Sequence, residues 1–338
     1  MNRRVRVLAL LLAGCMALSG CGTVPLHLRE YPRQARQQSL PPRQTLTLVL
    51  PQDAPDSLVN MTYLLEAKLS ELSGGQLSLE VRREENRLAM DSGSWDLAVF
   101  TNDDLIALDE DMMFLVAPFL FPDRESFLTI LSQEDGPVLG SDGLREALGG
   151  SIVGLYYGGA VGLLCRSRLY DSLGFSYFNL GILDIASYGS AFYTTLPEME
   201  SRGVILSDQQ GLLDQMNAEP LRYLEYPRNL ELPEAYREEA RYYEDTQHRF
   251  LGLWLALADG ADPQVERIVR EAAAYTLDGQ LADQLAEEDR VLGTLPPRHR
   301  DNEAGYPEIR SAARSLYRDD DLRTCVPDWV WKRISAYL

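Results

Sequence analysis

The stretch TLTLVLP, residues 45–51, begins the fold, because it is a run of apolar and β-branched residues that ends at a proline. Such a run predicts a buried β-strand. Apolar residues then recur at spacings of three and four, which predicts an amphipathic helix: Leu58, Met61, Leu65, Leu69 and Leu72. This helix should end before Gly74 and Gly75, a pair typical of a helix C-terminus. The alternating segment 77–82 predicts the next strand, so the chain opens with a strand–helix–strand unit.

The alternation of strands and helices continues through the first half of the chain. Strands are predicted at 95–100 and 152–157, and helices at 127–131 and 144–148. This order predicts an α/β fold, with a mostly parallel sheet and helices on its faces. A longer helix should begin at Pro263, since proline is favoured in the first helical turn, and its apolar face should carry Val265, Ile268, Val269, Ala272 and Tyr275. At about 40 Å it is longer than one small domain is wide, so it should cross between two lobes.

The N-terminus has the order of a bacterial secretory signal. Three arginines within the first six residues precede an apolar run at 7–18, and the small residues of LSGC, positions 18–21, follow. This order is typical of a signal peptide, and the LSGC ending resembles the lipobox of lipoproteins, which implies a lipid on Cys21. The run is too short for a membrane-spanning helix, which needs about 20 apolar residues. A second match, LAGC at 12–15, leaves an apolar core of about seven residues, the lower limit, so Cys21 is preferred.

These features predict the location and the first two segments of the chain. Residues 1–20 form the signal peptide, and residues 21–44, rich in Pro, Arg and Gln, form a flexible tether. The protein should be periplasmic and anchored by its lipid to a bacterial membrane. Gly22, rather than an aspartate that retains lipoproteins in the inner membrane, favours the outer membrane.

Composition excludes several functions. The formal net charge of −19 gives an acidic surface that repels phosphate backbones, so no nucleic acid should bind. The periplasm has no ATP, which removes many enzyme classes. Cys165 and Cys325 remain beyond the leader; in an oxidising compartment they either form a disulfide or are two small buried apolar residues, and both alternatives stay open.

No motif indicates an enzyme. The chain has three histidines, and it lacks a Gly-x-Ser-x-Gly elbow, a His-Glu-x-x-His helix and a phosphate-binding Gly-Lys-Ser/Thr loop. Carboxylates are plentiful, but nothing places a pair of them across a cleft, as a glycosidase requires. The acidic segment 103–111 lacks the spacing and the glycine of a calcium loop. We therefore expect a protein that is not an enzyme, with no cofactor and no metal.

Several segments, taken in order, resemble the solute-binding proteins of tripartite ATP-independent periplasmic (TRAP) transporters. They are LSELSGGQL at 69–77, DSGSWDLAV at 91–99, APFLF at 117–121, DGPVLG at 135–140, RYYEDTQH at 241–248, and EAAA at 271–274 in the long helix. The likeness covers residues 45–295. It implies a two-lobe periplasmic-binding-protein-like clamp that closes on a small-molecule ligand and delivers it to TRAP membrane permease subunits. A tetratricopeptide-repeat lipoprotein is a further partner in the branch of the family that this chain resembles most.

The resemblance also implies the domain organisation. Lobe I comprises residues 45–150 with part of 225–262, and lobe II comprises residues 151–224 with part of 250–262. Residues 263–291 form the helix that spans both lobes. Residues 292–338 form a C-terminal latch.

The arginine that holds a ligand carboxylate in this family is missing from its expected place. The family has it at the end of an Asp-Leu-x-Gly-Leu-x-x-Arg run, and here the matching run, DSLGFSYF at 171–178, ends in Phe178. A second arginine position falls in GGAVG, residues 158–162, which also has no cation. A bidentate arginine contributes about 1.5–3 kcal/mol to carboxylate binding, so we expect an apolar or neutral ligand. Two alternatives remain: Arg166 or Arg168 substitutes for it, or the protein is a structural lipoprotein that has lost its ligand.

Candidate ligand-binding residues come from two arguments. Loops at the carboxyl ends of strands form the crevice of an open α/β sheet, and the resemblance adds positions in the second lobe. For each candidate, an ordinary turn, helix cap or core position is the alternative. The candidates are Gln52, Asp53, Phe100, Thr101, Asn102, Tyr156, Tyr157, Phe178, Tyr188 and Asp208.

Overall fold

The computed structural model describes residues 41–90, 93–117, 120–133, 136–165, 223–232, 241–296 and 326–335. The strands within these ranges are β1 (Gln44–Pro51), β2 (Leu77–Glu84), β3 (Leu97–Thr101), β4 (Gly150–Cys165), β5 (Tyr223–Pro227) and β6 (Tyr242–Ala258). The α-helices are α1 (Asp56–Leu72), α2 (Asn102–Leu108), α3 (Arg124–Leu131), α4 (Asp142–Leu148), α5 (Pro263–Leu292) and α6 (Asp328–Ile334). Two 3₁₀ helices lie at Arg87–Ala89 and Glu110–Val116.

The strands form one six-stranded sheet in the order β2-β1-β3-β6-β4-β5. β1 pairs in parallel with both β2 and β3, and α1 is the crossover connection between β1 and β2. β6 lies antiparallel between β3 and β4, and β5 is antiparallel to β4. The parallel pairing expected from the sequence is therefore found among the first three strands, and the sheet as a whole is mixed. Apolar runs predict strands but carry no information on their direction.

The strand–helix–strand unit follows the predicted pattern closely. Leu58, Met61, Leu65 and Leu69 are completely buried on one face of α1. The helix ends at Leu72, and the glycine pair that follows has φ of 63° and 80°. Left-handed backbone of this kind suits glycine because it has no Cβ, which is why the chain turns into β2 at this point.

The long helix α5 begins and ends within one residue of its predicted bounds. The Asp262 carboxylate caps it by accepting a hydrogen bond from the Gln264 N–H at 2.8 Å, as an N-cap residue does. The prediction of its apolar face is correct as far as Ala272. The prediction that Tyr275 is buried on this face is wrong, because the Tyr275 side chain is 63% exposed and the Lys68 ammonium lies 4.3 Å from the centre of its ring. The buried face continues instead at Thr276, four residues beyond Ala272.

Both faces of the sheet are covered. On one face, α1 and the first half of α5 bury apolar side chains against β1, β3 and β6. On the other face lie α3, the 3₁₀ helix Glu110–Val116 and α6, which buries Val330 and Ile334. Within the described residues, no helix has the length and apolar character needed to cross a bilayer.

Candidate functional site

The second half of α5 buries polar side chains where its first half buries apolar ones. Thr276, Gln280, Gln284 and Glu288 follow one another at intervals of four residues, so they share one face of the helix. Each is at most 1% exposed. We call these four residues the polar stripe. It faces the segment 156–160 of β4, to which it is bonded at every step.

The polar stripe supplies hydrogen bonds that the sheet does not. The register between β4 and β6 shifts between Tyr157 and Gly159, and again between Val161 and Leu163. β5 pairs with β4 only from Val161 onward, so on that side the preceding residues of β4 have no described strand partner, and a buried backbone group needs a partner. Gln280 provides both for Tyr157: its Nε2 donates to the Tyr157 carbonyl at 2.8 Å, and its Oε1 accepts from the Tyr157 N–H at 3.1 Å. Gln284 donates to the Gly158 carbonyl at 3.3 Å.

Glu288 ends the polar stripe with a charged contact. Its Oε1 accepts hydrogen bonds from the Ala160 N–H at 2.8 Å and from the Tyr157 hydroxyl at 3.1 Å. Its Oε2 lies 3.6 Å from the Arg228 guanidinium. Gly159, with φ of 122°, turns the backbone here, and a Cβ on it would lie 2.9 Å from Asn229 Oδ1. Only glycine fits this bend without strain.

Arg228 lies beside Glu288 and has two carboxylate neighbours. It follows β5, and its N–H donates to the Ala160 carbonyl at 2.9 Å. Its Nε lies 3.3 Å from the Asp245 carboxylate of β6, and Glu288 is on its other side. We call Tyr157, Ala160, Arg228, Asp245 and Glu288 the Glu288 cluster. With both carboxylates ionised, the cluster carries one more negative than positive charge.

Burial shapes the acid–base behaviour of the Glu288 cluster. It raises the pKa of Glu288 above its ordinary value, and Arg228 and the Ala160 N–H offset only part of this effect. Burial, reinforced by the Glu288 carboxylate, also raises the pKa of Tyr157 well above its ordinary value, so the Tyr157 hydroxyl remains a hydrogen-bond donor. For Arg228, burial disfavours the charge, but Asp245 and Glu288 outweigh it and raise the pKa. The guanidinium therefore stays charged.

A second guanidinium lies near the same tyrosine. Arg124, the first residue of α3, has its guanidinium carbon 5.7 Å from the centre of the Tyr157 ring. This distance permits a cation–π interaction. Among the residues that the structure describes, none forms an ion pair with Arg124. Its charge still acts on the Glu288 carboxylate and lowers the pKa of that group, but more weakly than the charge of Arg228 does.

The structure places several predicted ligand-binding residues at neighbouring positions on nearby strands of the sheet. Thr101 of β3 and Tyr156 of β4 both pair with Leu253 of β6, one on each side of it. Since β1 is parallel to β3, the exposed Gln52 and Asp53 lie at the same edge of the sheet as Thr101. These positions come from distant parts of the sequence and still share one edge.

The local roles of the remaining described candidates are clear. Thr101 caps α2 in a reciprocal pair of hydrogen bonds with Asp104. Asn102 is 3% exposed and uses both ends of its amide, donating to the Phe250 carbonyl at 3.1 Å and accepting from the Trp254 indole N–H at 2.9 Å. Phe100 packs edge-on against a tryptophan of the core. The other positions named from the sequence lie outside the described residues: Cys21, Arg166, Arg168, Phe178, Tyr188, Asp208 and Cys325.

Sequence reasoning missed the polar stripe, Arg124 and Arg228. The polar stripe has a readable signal, since Thr, Gln, Gln and Glu recur every fourth residue in line with the apolar face of the same helix. Arg228 has no local signal, because it reaches Ala160 only through the pairing of β5 with β4. The same is true of Arg124, which the fold brings to Tyr157 from a different helix.

A cavity of about 520 Å³ lies elsewhere in the sheet. Its lining includes Trp95 and Asp96, which precede β3, together with Gly149, Leu257 and Val265. It is therefore at the amino end of β3, whereas the candidate residues lie at the carboxyl end. Within the described ranges, no group of three or more His, Cys, Asp or Glu side chains has an arrangement suited to a metal ion.

Comparisons with known proteins give structural relatives only. No family model matches the sequence, and no curated protein matches it. A TRAP periplasmic solute-binding protein from Ochrobactrum anthropi, with its C-terminus bound in its ligand-binding pocket, aligns with a TM-score of 0.63 at 14% identity, over 87% of this chain and 94% of that chain. The chain has the fold of the TRAP solute-binding proteins. This finding confirms the two-lobe α/β clamp expected from the sequence.

Other solved structures share the TRAP solute-binding fold at similar identity. A protein from Desulfovibrio desulfuricans with bound sn-glycerol-3-phosphate aligns with a TM-score of 0.60 at 15% identity, over 87% of this chain and 97% of that chain. The sugar-acid binding protein of Advenella mimigardefordensis, in complex with galactonate, aligns with a TM-score of 0.57 at 13% identity, over 89% and 100%. At such identities the likeness establishes the fold, and the ligands belong to those proteins.

Proposed function

We propose that this protein is an extracytoplasmic solute receptor of the TRAP type, which binds a small molecule and presents it to membrane permease subunits. The observation that carries the proposal is the match of the fold over 87% of this chain and 94% of its Ochrobactrum anthropi relative. A clamp of this kind binds its ligand and does not convert it. The protein is accordingly a binding protein rather than an enzyme.

The ligand of this receptor is apolar or neutral. The stretch 158–162, where the family resemblance expects an arginine, lies instead beside the buried Glu288 carboxylate. The nearby Arg228 is already balanced by Glu288 and Asp245. At an effective dielectric constant of 20, a ligand carboxylate about 6 Å from one of these anions is repelled by about 3 kcal/mol. Arg228 offsets the repulsion of one anion, so the second anion leaves a net repulsion. This charge balance supports a ligand without a carboxylate, unlike the galactonate of the Advenella relative.

Arg124 favours a second candidate, a receptor for carboxylates. Its guanidinium lies over the Tyr157 ring and is not paired with any described carboxylate. A charged hydrogen bond from it to a ligand would contribute about 1.5–3 kcal/mol. In this alternative Arg124 takes the part that the sequence analysis assigned to Arg166 or Arg168.

The two candidates are distinguished by binding measurements on the purified protein. Native mass spectrometry identifies any small molecule that co-purifies with it, and calorimetry then compares matched pairs, such as galactose with galactonate and hexanol with hexanoate. We expect the neutral member of a pair to bind. Tight binding of the acid that is lost in Arg124→Gln establishes the second candidate. Absence of any guest, with no binding from either series, refutes the receptor and leaves the structural lipoprotein.

The anchor at Cys21 is also part of the proposal, together with periplasmic exposure, the outer membrane as its site and a tetratricopeptide lipoprotein as a partner. The signal LSGC at 18–21 supports it. Growth of a bacterial host with labelled palmitate should label the wild-type protein and Cys15→Ser, whereas Cys21→Ser should remain unlabelled. Labelling that survives Cys21→Ser contradicts the anchor, and membrane fractionation then tests the choice of membrane.

A further inference from the structure

The Glu288 carboxylate lies among groups that suit a bound carboxylate: two hydrogen-bond donors to Oε1 and a guanidinium beside Oε2. The Ala160 N–H and the Tyr157 hydroxyl both donate to Oε1, at 2.8 and 3.1 Å, and the Arg228 guanidinium is 3.6 Å from Oε2. A backbone N–H, a hydroxyl and a guanidinium are donors that proteins use to hold carboxylates, and charged hydrogen bonds of this kind are the strong ones. In this protein the anion is supplied by the chain itself, from α5.

The backbone around this set is built to present it. Gly159 adopts φ of 122° and Asn229 Nδ2 donates to the Gly158 carbonyl at 3.2 Å, which fixes the bend just before Ala160. The Ala160 N–H therefore donates to Glu288 at a point where the ladder between β4 and β6 is irregular. An unpaired carboxylate is costly to bury, so the donors and Glu288 require each other. Without Glu288 the donors would need another anion.

We propose that Tyr157, Ala160 and Arg228 form a carboxylate-binding site that the chain fills with its own Glu288, so that ligand carboxylates are excluded from it. Glu288 is then the residue that sets ligand class. This step rests on the proposed function, since it explains how a receptor with this fold rejects acids. The carboxylate site itself does not depend on the natural ligand.

Acetate is the probe that fits this proposal. In Glu288→Ala, the atoms removed beyond Cβ are those of one acetate ion; the Ala160 N–H and the Tyr157 hydroxyl lose their acceptor, and Arg228 keeps Asp245 as its one described carboxylate neighbour. The matched control is Glu287→Ala: Glu287 is the preceding residue of the same helix, and its carboxylate pairs with Arg290 at the surface. Calorimetric titration of the folded proteins with sodium acetate measures binding to the native state. Separate titrations with sodium chloride and with acetamide, at the same concentrations, are the ligand controls.

We expect Glu288→Ala to bind acetate about tenfold or more tightly than the wild-type protein and Glu287→Ala do. Acetamide and chloride should bind no better to this variant than to the wild type. The double variant Arg228→Met, Glu288→Ala should lose the acetate affinity, since its guanidinium is gone. Equal acetate affinity in the wild type and Glu288→Ala overturns the proposal. An acetate affinity of the double variant that equals that of Glu288→Ala overturns it too.

A folding defect does not prevent the test. If Glu288→Ala is unfolded in chloride, refolding in acetate supports the proposal, provided that acetate can afterwards be exchanged for labelled acetate in the folded protein. Rescue without such exchange shows a sealed structural ion pair and overturns the proposal, and failure to fold in either salt does so too. If these results refute the acetate site while a neutral ligand still binds the wild type, the proposed receptor function stands.

Discussion

Replacing Gln280 by methionine should destabilise the protein by about 1–5 kcal/mol. The Gln280 side chain makes two hydrogen bonds to the backbone of Tyr157, at 2.8 and 3.1 Å, and is 1% exposed. Methionine has nearly the same volume and a similar helix propensity, so the substitution removes the bonds without opening a large cavity. It leaves one buried N–H and one buried carbonyl unpaired, at about 1–3 kcal/mol each. Burial of the added apolar atoms recovers about 1 kcal/mol.

Urea denaturation of the purified protein, followed by circular dichroism, measures this loss. The matched control is Arg267→Met on the exposed face of the same helix, where the residue forms an ion pair with Glu271 at 3.4 Å and with no other residue that the structure describes. An exposed pair of this kind contributes about 0.3–0.5 kcal/mol, so the control should be close to wild type. A loss below 1 kcal/mol in Gln280→Met, or one equal to that of the control, would refute the idea that the helix completes the hydrogen bonding of β4.

Three more changes test the same region and its neighbour. Gly159→Ala should lose about 1–3 kcal/mol, because φ is 122° and the position has no room for a Cβ; full stability in urea contradicts this. Because burial raises the pKa of Glu288 above its ordinary value of 4.5, its contribution to the unfolding free energy is complete below pH 4.5 and is lost as the pH rises through the raised pKa. The loss of unfolding free energy caused by Glu288→Gln, measured against the wild type from pH 4 to 8, should therefore become smaller as the pH rises. Over this range Arg228 stays charged and Tyr157 stays neutral. A loss that is the same at every pH contradicts the raised pKa of Glu288. Asn102→Leu should lose about 2–4 kcal/mol by leaving buried backbone groups unpaired, and a thermal midpoint equal to that of wild type contradicts this role.

The sequence was most informative where structure depends on local spacing. The apolar residues of α1, the glycines that end it, and the start of α5 at Pro263 all follow from periodicity and from backbone preference. The face of α5 was misjudged only at Tyr275, where both apolar packing and exposure suit an aromatic ring.

The sequence was least informative where structure depends on distant pairing. The segment predicted as a short strand at 152–157 is part of β4, which has 16 residues, because its glycines interrupt the apolar pattern without ending the strand. The position of β6 in the middle of the sheet follows from no local signal. For the same reason Arg124 and Arg228, which reach the region of Tyr157 through the fold, were not named as candidates. Tyr156 and Tyr157 were named from the family resemblance.

The change in chemistry along α5 follows a change in the sheet beneath it. In its first half the helix packs on strands that satisfy one another's hydrogen bonds, so apolar side chains such as Val265 and Ala272 suffice. In its second half it packs on residues 156–160 of β4, which β5 does not reach, so the backbone needs other partners and amide and carboxylate side chains replace the apolar ones. This segment of β4 is therefore held from two sides, by pairing with β6 and by hydrogen bonds from the side chains of α5. The helix thereby fixes Tyr156 and Tyr157, the described candidates for ligand contact on β4, and any displacement of α5 relative to the sheet must move them.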